Sequence, residues 1–319
     1  MFRNNMIYGQ KEEDAVDFLI KQYKKKLLKS SLERMSKNGL IWREKLSDDE
    51  HSKLKNYKMA GAIYRHVFST IGSCSGDLLK LAEANYTRVI GLAMYSLSVS
   101  EREFYNYFTA LRFFGTHATS VRNVETKNPK LIKENTAKLR LESWKTLKTK
   151  GLGLKNKFLA QREISEGVLG NDDFVFLSLE CGNVKSKSYS RFGNKLYRIP
   201  VDSNSSFSHS FITLNNLLTS KNQPKFTLDK LTASDETKRK IVRNYNVKDI
   251  IAIGDIKKFV CCSLILFIRQ LSEIDKESLL GIRNEYDINI LINSVFRPQV
   301  CIPRRLYARQ DTYEVRDLK

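Results

Sequence analysis

The sequence lacks a hydrophobic run long enough to cross a membrane. A bilayer span needs about 20 consecutive apolar residues, whereas the longest apolar stretch of the 319 residues extends only from Phe259 to Ile268 and is interrupted by Ser263. The first residues, Met1–Met6, also lack the apolar segment of a cleavable secretory signal. We therefore expect no transmembrane helix, no integral membrane association and no cleaved signal peptide.

Cysteine is scarce, and its spacing indicates neither disulfides nor a metal site. The 5 cysteines are an odd number without a Cys-x-x-Cys pair, and the 4 histidines are scattered. We expect reduced thiols, as in the cytosol. The sequence also lacks a third glycine and a preceding strand for a Rossmann loop, a Gly-Lys-Ser/Thr phosphate loop and a nucleophile-elbow serine. Metal-dependent, ATPase and serine-hydrolase functions are thus left without support.

Acidic residues are few compared with basic ones. There are 35 Asp and Glu against 55 Lys and Arg, which gives a formal net charge of +20. Such a surplus suits nucleic acid or an anionic membrane surface, but the basic residues are spread along the chain, so a solvated basic surface explains it equally well. Tyr57, Tyr64 and the aromatics of 104–114 have the spacing of a helical core, which argues against a base-stacking surface. We expect no nucleic-acid partner.

Proline is rare before residue 200, where Pro129 is the only one, and the apolar spacing there is helical. Ser47 with Glu50, and Ser100 with Glu103, have the form of capping boxes at helix starts. A further helix is predicted over 78–97. One predicted helical face comprises Val16, Leu19, Ile20, Tyr23 and Leu27, beneath the basic run Lys24-Lys25-Lys26. Gly151-Leu152-Gly153 marks the end of this region, so we predict a helical N-terminal domain over residues 1–155.

The second half, residues 156–319, has a different pattern. Short apolar runs flanked by turn residues predict strands, and longer apolar segments predict helices. The predicted strands are 174–179, 195–199, 249–253 and 300–302, and the predicted helices are 256–271 and 288–296. Pro298 must end the last helix because proline cannot continue its hydrogen bonds. The fold class predicted for the chain is therefore α+β.

Three groups of residues together resemble the OspC group of bacterial type III secretion effectors, which are similar to ADP-ribosyltransferases that act on arginine. They match in order and spacing over most of the chain. The first group comprises residues 42–47 and 63–66. The second comprises Asn171-Asp172-Asp173-Phe174-Val175-Phe176, Ser190-Arg191-Phe192-Gly193 and 211–214, and the third comprises 266–269 and 292–304. The resemblance implies a helical domain followed by an ADP-ribosyltransferase-like mixed α/β domain over 156–319.

The resemblance also implies an activity and a place of action. Members of the family are secreted into the host cell cytoplasm, use NAD and attach ADP-ribose to an arginine of a host protein, with a cyclised ADP-riboxanated product in characterised members. Host cell-death caspases as targets, and calmodulin as an activating partner, are what the resemblance suggests. Ankyrin repeats usually follow this domain in the family, whereas this sequence contains none.

The sequence departs from the family at its last strand. The family carries a catalytic glutamate and, two residues later, a histidine, where this chain has Gln299 and Cys301. Alternate strand residues share one face, so both side chains can still line a single cleft. The lost charge matters because a carboxylate stabilises the oxocarbenium-like transition state. Glu314 or Asp311 could substitute for it; otherwise the chain is a catalytically inactive protein that binds a host protein or an anionic membrane.

Other candidate site residues follow from the same resemblance. Asp173 is expected to contact the NAD ribose or the target arginine, although Asp172 and Asp173 could equally cap a turn. Phe174 and the loop residues Ser190 to Gly193 are expected to bind the cofactor, with Arg191 on the pyrophosphate and Phe192 stacked on nicotinamide; an ordinary turn is the alternative. His209 is a further candidate for NAD contact that could instead lie in a polar loop.

Overall fold

The computed structural model describes residues 18–37, 77–119, 138–151, 170–183, 190, 192–214, 227–244, 251–309 and 312–318. Over these ranges the chain is a mixture of helices and antiparallel strands, as the α+β prediction requires. Within the described residues, no helix is both long enough and apolar enough to cross a membrane. The predicted features at Ser47, Glu50 and Pro129 lie outside these ranges.

The elements are numbered here in chain order. The helices are α1 (18–37), α2 (Leu78–Met94), α3 (Val99–Ala110), α4 (Trp144–Thr149), α5 (Asp235–Asn244), α6 (Ile256–Ile268), α7 (Glu273–Leu280) and α8 (Glu285–Val295). The strands are β1 (Phe113–Thr119), β2 (Lys138–Glu142), β3 (Phe174–Cys181), β4 (Lys195–Pro200), β5 (Phe211–Thr213), β6 (Ile251–Ala252), β7 (Gln299–Pro303), β8 (Arg305–Arg309) and β9 (Glu314–Asp317). Single 3₁₀ turns occupy Phe207–His209 and Leu228–Lys230.

Seven of these strands form one sheet in the order β6-β5-β7-β3-β1-β4-β9, and all of its pairs are antiparallel. β2 and β8 form a separate antiparallel pair. β1 lies between β3 and β4, although it belongs to the part of the chain predicted to be a helical domain. The expected division at residue 155 therefore runs through a single sheet.

The helices cover one face of the sheet. Side chains alternate between the two faces of a strand, and on β3 and β7 the residues Leu177, Leu179, Val300 and Ile302 point into the helical side, where they join the main hydrophobic core. α6 lies at the centre of that core and is buried over nearly its whole length. This explains why its sequence from Phe259 onward is apolar on every side apart from Ser263, as expected of a helix enclosed by other elements. Each helix and strand predicted within residues 251–303 is thus confirmed as a helix or a strand, with bounds that differ by a few residues.

The start of α3 differs from the prediction by two residues. Its N-cap is Ser98, which forms a capping box with Glu101, whereas Ser100 lies inside the helix. Arg269, just after α6, donates hydrogen bonds to Glu101 at 2.8 and 3.0 Å. These bonds lower the pKa of the Glu101 carboxyl. A contact with a distant helix thus decides which of two similar serine-glutamate pairs caps α3.

The predicted buried face of α1 is wrong. Leu19, Ile20 and Tyr23 are exposed and Leu27 is half-buried, while Val16 lies outside the described residues. The buried residues of α1 are Leu28, Ser31, Leu32, Met35 and Ser36. This second set also has helical spacing, but it lies in the C-terminal half of the helix, where α1 contacts the turn before β3. Phe113 and Phe114 belong to a strand and not to the helix; Phe113 still joins Phe104 and Phe108 in the main core, whereas Phe114 points to the other face of the sheet.

Candidate active site

The sheet face opposite the helices carries the polar residues of the central strands. On β7 the residues Gln299 and Cys301 alternate with the core residues Val300 and Ile302. Gln299 and Cys301 therefore share the face that points away from the main hydrophobic core, as their spacing predicted. We call this the open face of the sheet.

One polar row crosses the middle of the open face. Gln299 is the Cα partner of Ser178 on β3 and of Thr213 on β5. Ser178 in turn pairs with Thr116 on β1, which pairs with Arg198 on β4. The complete row is Thr213, Gln299, Ser178, Thr116, Arg198 and Glu314. An ordinary sheet face packed on a core would be apolar here, so the polar row marks this face as a candidate binding surface.

Most residues of the open face are buried. Gln299 is only 8% exposed and Thr116 is buried, whereas Phe176 and Ser178 on the strand between them are half-buried. Phe176 and Ser178, which lie beside Gln299, therefore keep part of their surface in contact with solvent.

A buried arginine completes the polar row. Arg198 is 0% exposed; it donates hydrogen bonds to Glu314 and, at 2.6 Å, to the carbonyl oxygen of Gly182. Its guanidinium also lies 4.1 Å from the centre of the Phe114 ring. Its Nε is 3.6 Å from an oxygen of Glu180, which lies on the open face because it follows Ser178 by two residues. A buried guanidinium persists only where opposite charges and acceptors offset its desolvation.

Of the substitute carboxylates considered from the sequence, Asp311 lies outside the described residues and Glu314 lies on β9, at the far edge of the sheet. β9 is separated from β7 by four strand spacings, which corresponds to about 19 Å. Glu314 is paired there with Arg198 and Arg316. It therefore cannot supply charge beside Gln299.

Cys301 occupies a packed position on the open face. It is fully buried and lies opposite Phe176 on one side and Phe211 on the other. Burial raises the pKa of its thiol well above the ordinary value, so the thiol is protonated and a poor nucleophile. This environment fits a space-filling residue better than the catalytic role that the resemblance implied.

Asp172 and Asp173 anchor α1 to the sheet. Asp173 accepts a 2.9 Å hydrogen bond from Ser31 and lies 3.5 Å from Arg304, while Asp172 pairs with Arg34 at 2.8 Å. Both carboxylates are buried. Asp173 thus has structural partners already, in agreement with the reading that this pair holds a turn. Phe174 is also buried, with its ring packed edge-on against Phe211 at 5.0 Å.

The loop before β4 presents an aromatic ring to solvent. Phe192 is 47% exposed, and its backbone N–H donates to the Ser190 hydroxyl at 3.2 Å. Gly193 is half-buried, and Arg191 lies outside the described residues. His209 ends the 3₁₀ turn before β5; burial, followed by the charges of lysines on α1, lowers its pKa and favours the neutral imidazole.

The strand directions bring these predicted residues to one end of the sheet. β3 and β4 are both antiparallel to β1, which lies between them, and β3 and β5 are both antiparallel to β7. β3, β4 and β5 therefore run in the same direction. Asp173, the described residues 190 and 192–194, and His209 precede these three strands, so they lie at one end of the sheet. The end of β7, after Cys301, lies there too. Asp173, Ser190, Phe192 and His209 thus share one end of the sheet, whereas Gln299, the first residue of β7, lies at the other end of that strand.

Sequence reasoning missed Ser178, Glu180, Thr116 and Arg198. A signal existed for two of them: β3 reads Phe-Val-Phe-Leu-Ser-Leu-Glu-Cys, in which Ser178 and Glu180 are polar at alternate positions of an apolar run. Alternation of this kind indicates a second strand face that is not part of the core. Thr116 and Arg198 carried no such signal, because their placement depends on the pairing of distant strands.

No family model matches this chain, and the search of curated proteins returned no match. The part of the chain that the structure describes also contains no group of three or more His, Cys, Asp or Glu side chains that could hold a metal ion.

Proposed function

We propose that this chain is an NAD-dependent protein-arginine ADP-ribosyltransferase of the ADP-riboxanase type, delivered by a bacterial type III secretion system into the host cell cytoplasm. The observation that carries the proposal is that Asp173, the described residues Ser190 and Phe192, His209 and the end of β7 lie at one end of the sheet. The resemblance assigns these segments to NAD binding. The polar row across the same sheet face supports the same assignment.

In this proposal, three residues bind different parts of NAD. Phe192 presents an exposed ring for stacking on nicotinamide, and Arg191 is the proposed partner of the pyrophosphate because guanidinium and phosphate pair bidentately. The Gln299 amide can hydrogen-bond a ribose hydroxyl. The proposed acceptor is an arginine of a host protein, with the caspases of host cell death as the proposed class of target.

Phe192→Ala is expected to weaken NAD binding about tenfold, since stacking on an aromatic ring contributes about 1–3 kcal/mol. Calorimetric titration with NAD measures this affinity. The matched control is Tyr307→Ala, which removes an aromatic ring of nearly equal exposure, 46%, from β8. That change should leave NAD affinity unaltered. Intact-mass analysis of host proteins incubated with the chain and NAD should then show the increment of one ADP-ribosyl group. Equal losses in the two variants would contradict the assignment of Phe192.

A second candidate function is favoured by one observation, the neutral amide of Gln299 where the resembled family has a carboxylate. In this alternative the chain keeps the fold and binds a host protein without catalysis. NAD binding without nicotinamide release and without a mass increase would support it. Absence of any NAD binding would refute the proposed enzyme.

We propose that the exposed N-terminal half of α1 binds an acidic protein partner, for which calmodulin is the candidate. Phe18, Leu19, Ile20 and Tyr23 are exposed there together with Lys21, Lys25 and Lys26. A helix with apolar anchors and basic residues suits an acidic, hydrophobic groove.

Binding of calcium-loaded calmodulin to the full chain should weaken markedly between about 0.1 M and about 1 M salt, because the screening length falls from about 10 Å to about 3 Å. Leu19→Asp should abolish the binding without lowering the melting temperature, since Leu19 is 65% exposed. Glu33→Gln, an exposed change in the other half of α1, is the control. Affinity that is indifferent to salt and to Leu19→Asp would show that α1 is not the binding element.

A further inference from the structure

We propose that the outer face of the β2–β8 pair is a docking surface for an acidic, extended segment of the protein that this chain modifies. The pair is the separate two-stranded sheet in which Lys138–Glu142 runs antiparallel to Arg305–Arg309. We call it the basic ribbon. The surface itself is defined by strand register and side-chain burial, whereas its assignment to the target protein rests on the proposed function.

The two faces of the basic ribbon differ in composition. Alternate residues of a strand share a face. The residues of the inner face are buried in the main hydrophobic core and are Leu139, Leu141, Leu306 and Ala308. The residues between them point away from that core; those with described side chains are Arg140, Glu142, Arg305, Tyr307 and Arg309. The inner face therefore anchors the ribbon, and the outer face is rich in arginine.

Positive charge exceeds negative charge on the outer face. Glu142 is the only acidic residue of the two strands. Its carboxylate lies within ion-pair distance of three cations, Lys150 at 2.6 Å, Arg305 at 3.1 Å and Arg140 at 3.6 Å. Three cations around one carboxylate leave a net charge of +2. The Glu142 side chain is only 4% exposed, whereas those of Arg140 and Arg305 are 42% and 45% exposed. The surface therefore presents its cations to solvent and keeps its acid beneath them.

The arginines of the outer face have a spacing that suits an extended acidic peptide. A guanidinium presents paired N–H donors that match a carboxylate. Arg305 and Arg309 are four residues apart on the same face of β8, which corresponds to about 13 Å. Arg140 is the Cα partner of Tyr307 and so lies between them along the ribbon. An extended peptide has the same rise per residue, so acidic side chains at its alternate positions match this row of arginines.

Two other anionic partners fit the basic ribbon less well. A membrane surface binds proteins through buried apolar side chains as well as charge, whereas Tyr307 is the only large hydrophobic residue exposed among the described side chains of the ribbon. Single-stranded nucleic acid is held by several aromatic rings on which successive bases stack. One ring does not supply such a platform. The observations therefore favour an acidic polypeptide.

The basic ribbon begins at the end of the sheet to which the proposed function assigns NAD. β8 follows β7 after Arg304, whose backbone N–H donates to the carbonyl oxygen of Asp173 at 2.7 Å. The carbonyl oxygen of Arg304 accepts a hydrogen bond from the backbone N–H of Ser143, also at 2.7 Å, which ties the end of β2 to the same point. An acidic segment bound along the ribbon therefore ends near Asp173. The inferred target is a protein whose modified arginine is adjacent in sequence to acidic residues.

The first test measures binding to the full chain without NAD. The probe is a fluorescein-labelled peptide of alternating glutamate and serine, followed by anisotropy, and its counterpart with glutamine in place of glutamate removes only the charge. The variants are Arg140→Gln/Arg305→Gln and Arg309→Gln, the second of which leaves the three ion pairs of Glu142 in place. The control Arg88→Gln/Arg102→Gln removes two exposed arginines from α2 and α3. The melting temperature of each variant is measured alongside.

We expect Arg140→Gln/Arg305→Gln to weaken binding of the acidic peptide about tenfold or more, and Arg309→Gln about threefold, because charge-assisted hydrogen bonds are lost. The control should bind like the wild type, and the glutamine peptide should not bind. If Arg140→Gln/Arg305→Gln does not fold, Arg309→Gln decides the outcome. Equal losses in the control would show that only the net charge of the chain matters and would overturn the docking surface. Tighter binding of an oligothymidylate, or of vesicles containing phosphatidylserine, through the same arginines would overturn the acidic polypeptide as the partner.

The second test links the basic ribbon to modification. Both peptides are extended by a glycine and an arginine, incubated with the chain and NAD, and analysed by mass spectrometry. The acidic peptide should be modified about tenfold faster or more at low peptide concentration, and Arg140→Gln/Arg305→Gln should remove the difference, since weaker docking lowers kcat/KM. Equal rates for the two peptides would overturn the assignment of the ribbon to the target protein. A chain that binds the acidic peptide but modifies neither peptide would refute the proposed enzyme and leave the docking surface standing.

Discussion

Arg198→Met is expected to lower the free energy of unfolding by about 3–5 kcal/mol, because it removes one partner of a buried charge cluster. The guanidinium is fully buried between Glu180, Glu314, the Gly182 carbonyl and the Phe114 ring. Without it, the Glu180 carboxylate stays buried with no compensating charge. The carbonyl of Gly182 also loses its 2.6 Å hydrogen bond. Methionine restores much of the volume but none of these polar interactions.

Urea unfolding followed by circular dichroism measures this effect. Arg316→Met is the control, since Arg316 also contacts Glu314, at 3.4 Å, but is partly exposed; its cost should stay below about 1 kcal/mol. The double variant Arg198→Met/Glu180→Leu should regain most of the lost stability, because it replaces the charge pair by apolar groups. If Arg198→Met costs no more than Arg316→Met, the buried cluster does not stabilise the sheet.

Asp275→Asn is expected to lower the free energy of unfolding by about 2–3 kcal/mol at neutral pH and by progressively less in acid. Asp275 lies in the first turn of α7, and its buried carboxylate joins the start of α7 to the start of α5. It accepts hydrogen bonds from the Ser234 N–H and hydroxyl at 3.0 and 2.5 Å, from Thr237 at 2.7 Å and from Ser272 at 3.2 Å. An asparagine amide would point two hydrogens at these donors.

The pH dependence follows from the pKa of the Asp275 carboxyl. Burial alone would raise it, but the hydrogen bonds from Ser234, Thr237 and Ser272 outweigh burial and lower the pKa to about 2. An unfolded aspartate titrates near about 3.9, so the folded state favours the ionised form. The stabilisation is fully present above about pH 4 and is lost as the pH falls toward about 2.

Unfolding by urea at a series of pH values between about 2 and 7 tests this prediction. The difference between the wild type and Asp275→Asn should shrink across the acid range. Glu273→Gln removes an exposed carboxylate from the same helix turn, and it should cost less than about 1 kcal/mol. A difference that stays constant from neutral pH to about pH 2 would show that the ionised carboxylate is not the source of the stabilisation.

Helices and strands in the last third of the chain could be predicted from the sequence because local patterns there were unambiguous. The apolar segment of α6 has no polar face, and Pro298 stops the chain from continuing α8. Alternation on β7 also predicted that Gln299 and Cys301 share a face. These features depend only on residues a few positions apart, so no distant contact was needed to decide them.

Tertiary structure decided the features that depend on distant contacts. α1 contains two apolar sets with helical spacing, and contact with the turn at Asp172 and Asp173 selects the C-terminal one for burial. The aromatic residues at the start of β1 follow the helical spacing of α3 in the sequence. The hydrogen-bond partners that make β1 a strand lie on β3 and β4, more than 60 residues away in the chain. Which carboxylate lies beside Gln299 is a matter of strand register: Glu314 is closer in sequence, but Glu180 is closer in space because β3 pairs directly with β7. The sequence by itself determined which segments form helices and strands in its most regular parts and which face of β7 carries Gln299, since these follow from local periodicity. Only the tertiary structure decided the partners of those strands and the charges beside Gln299, since these depend on pairing between segments that the sequence keeps far apart.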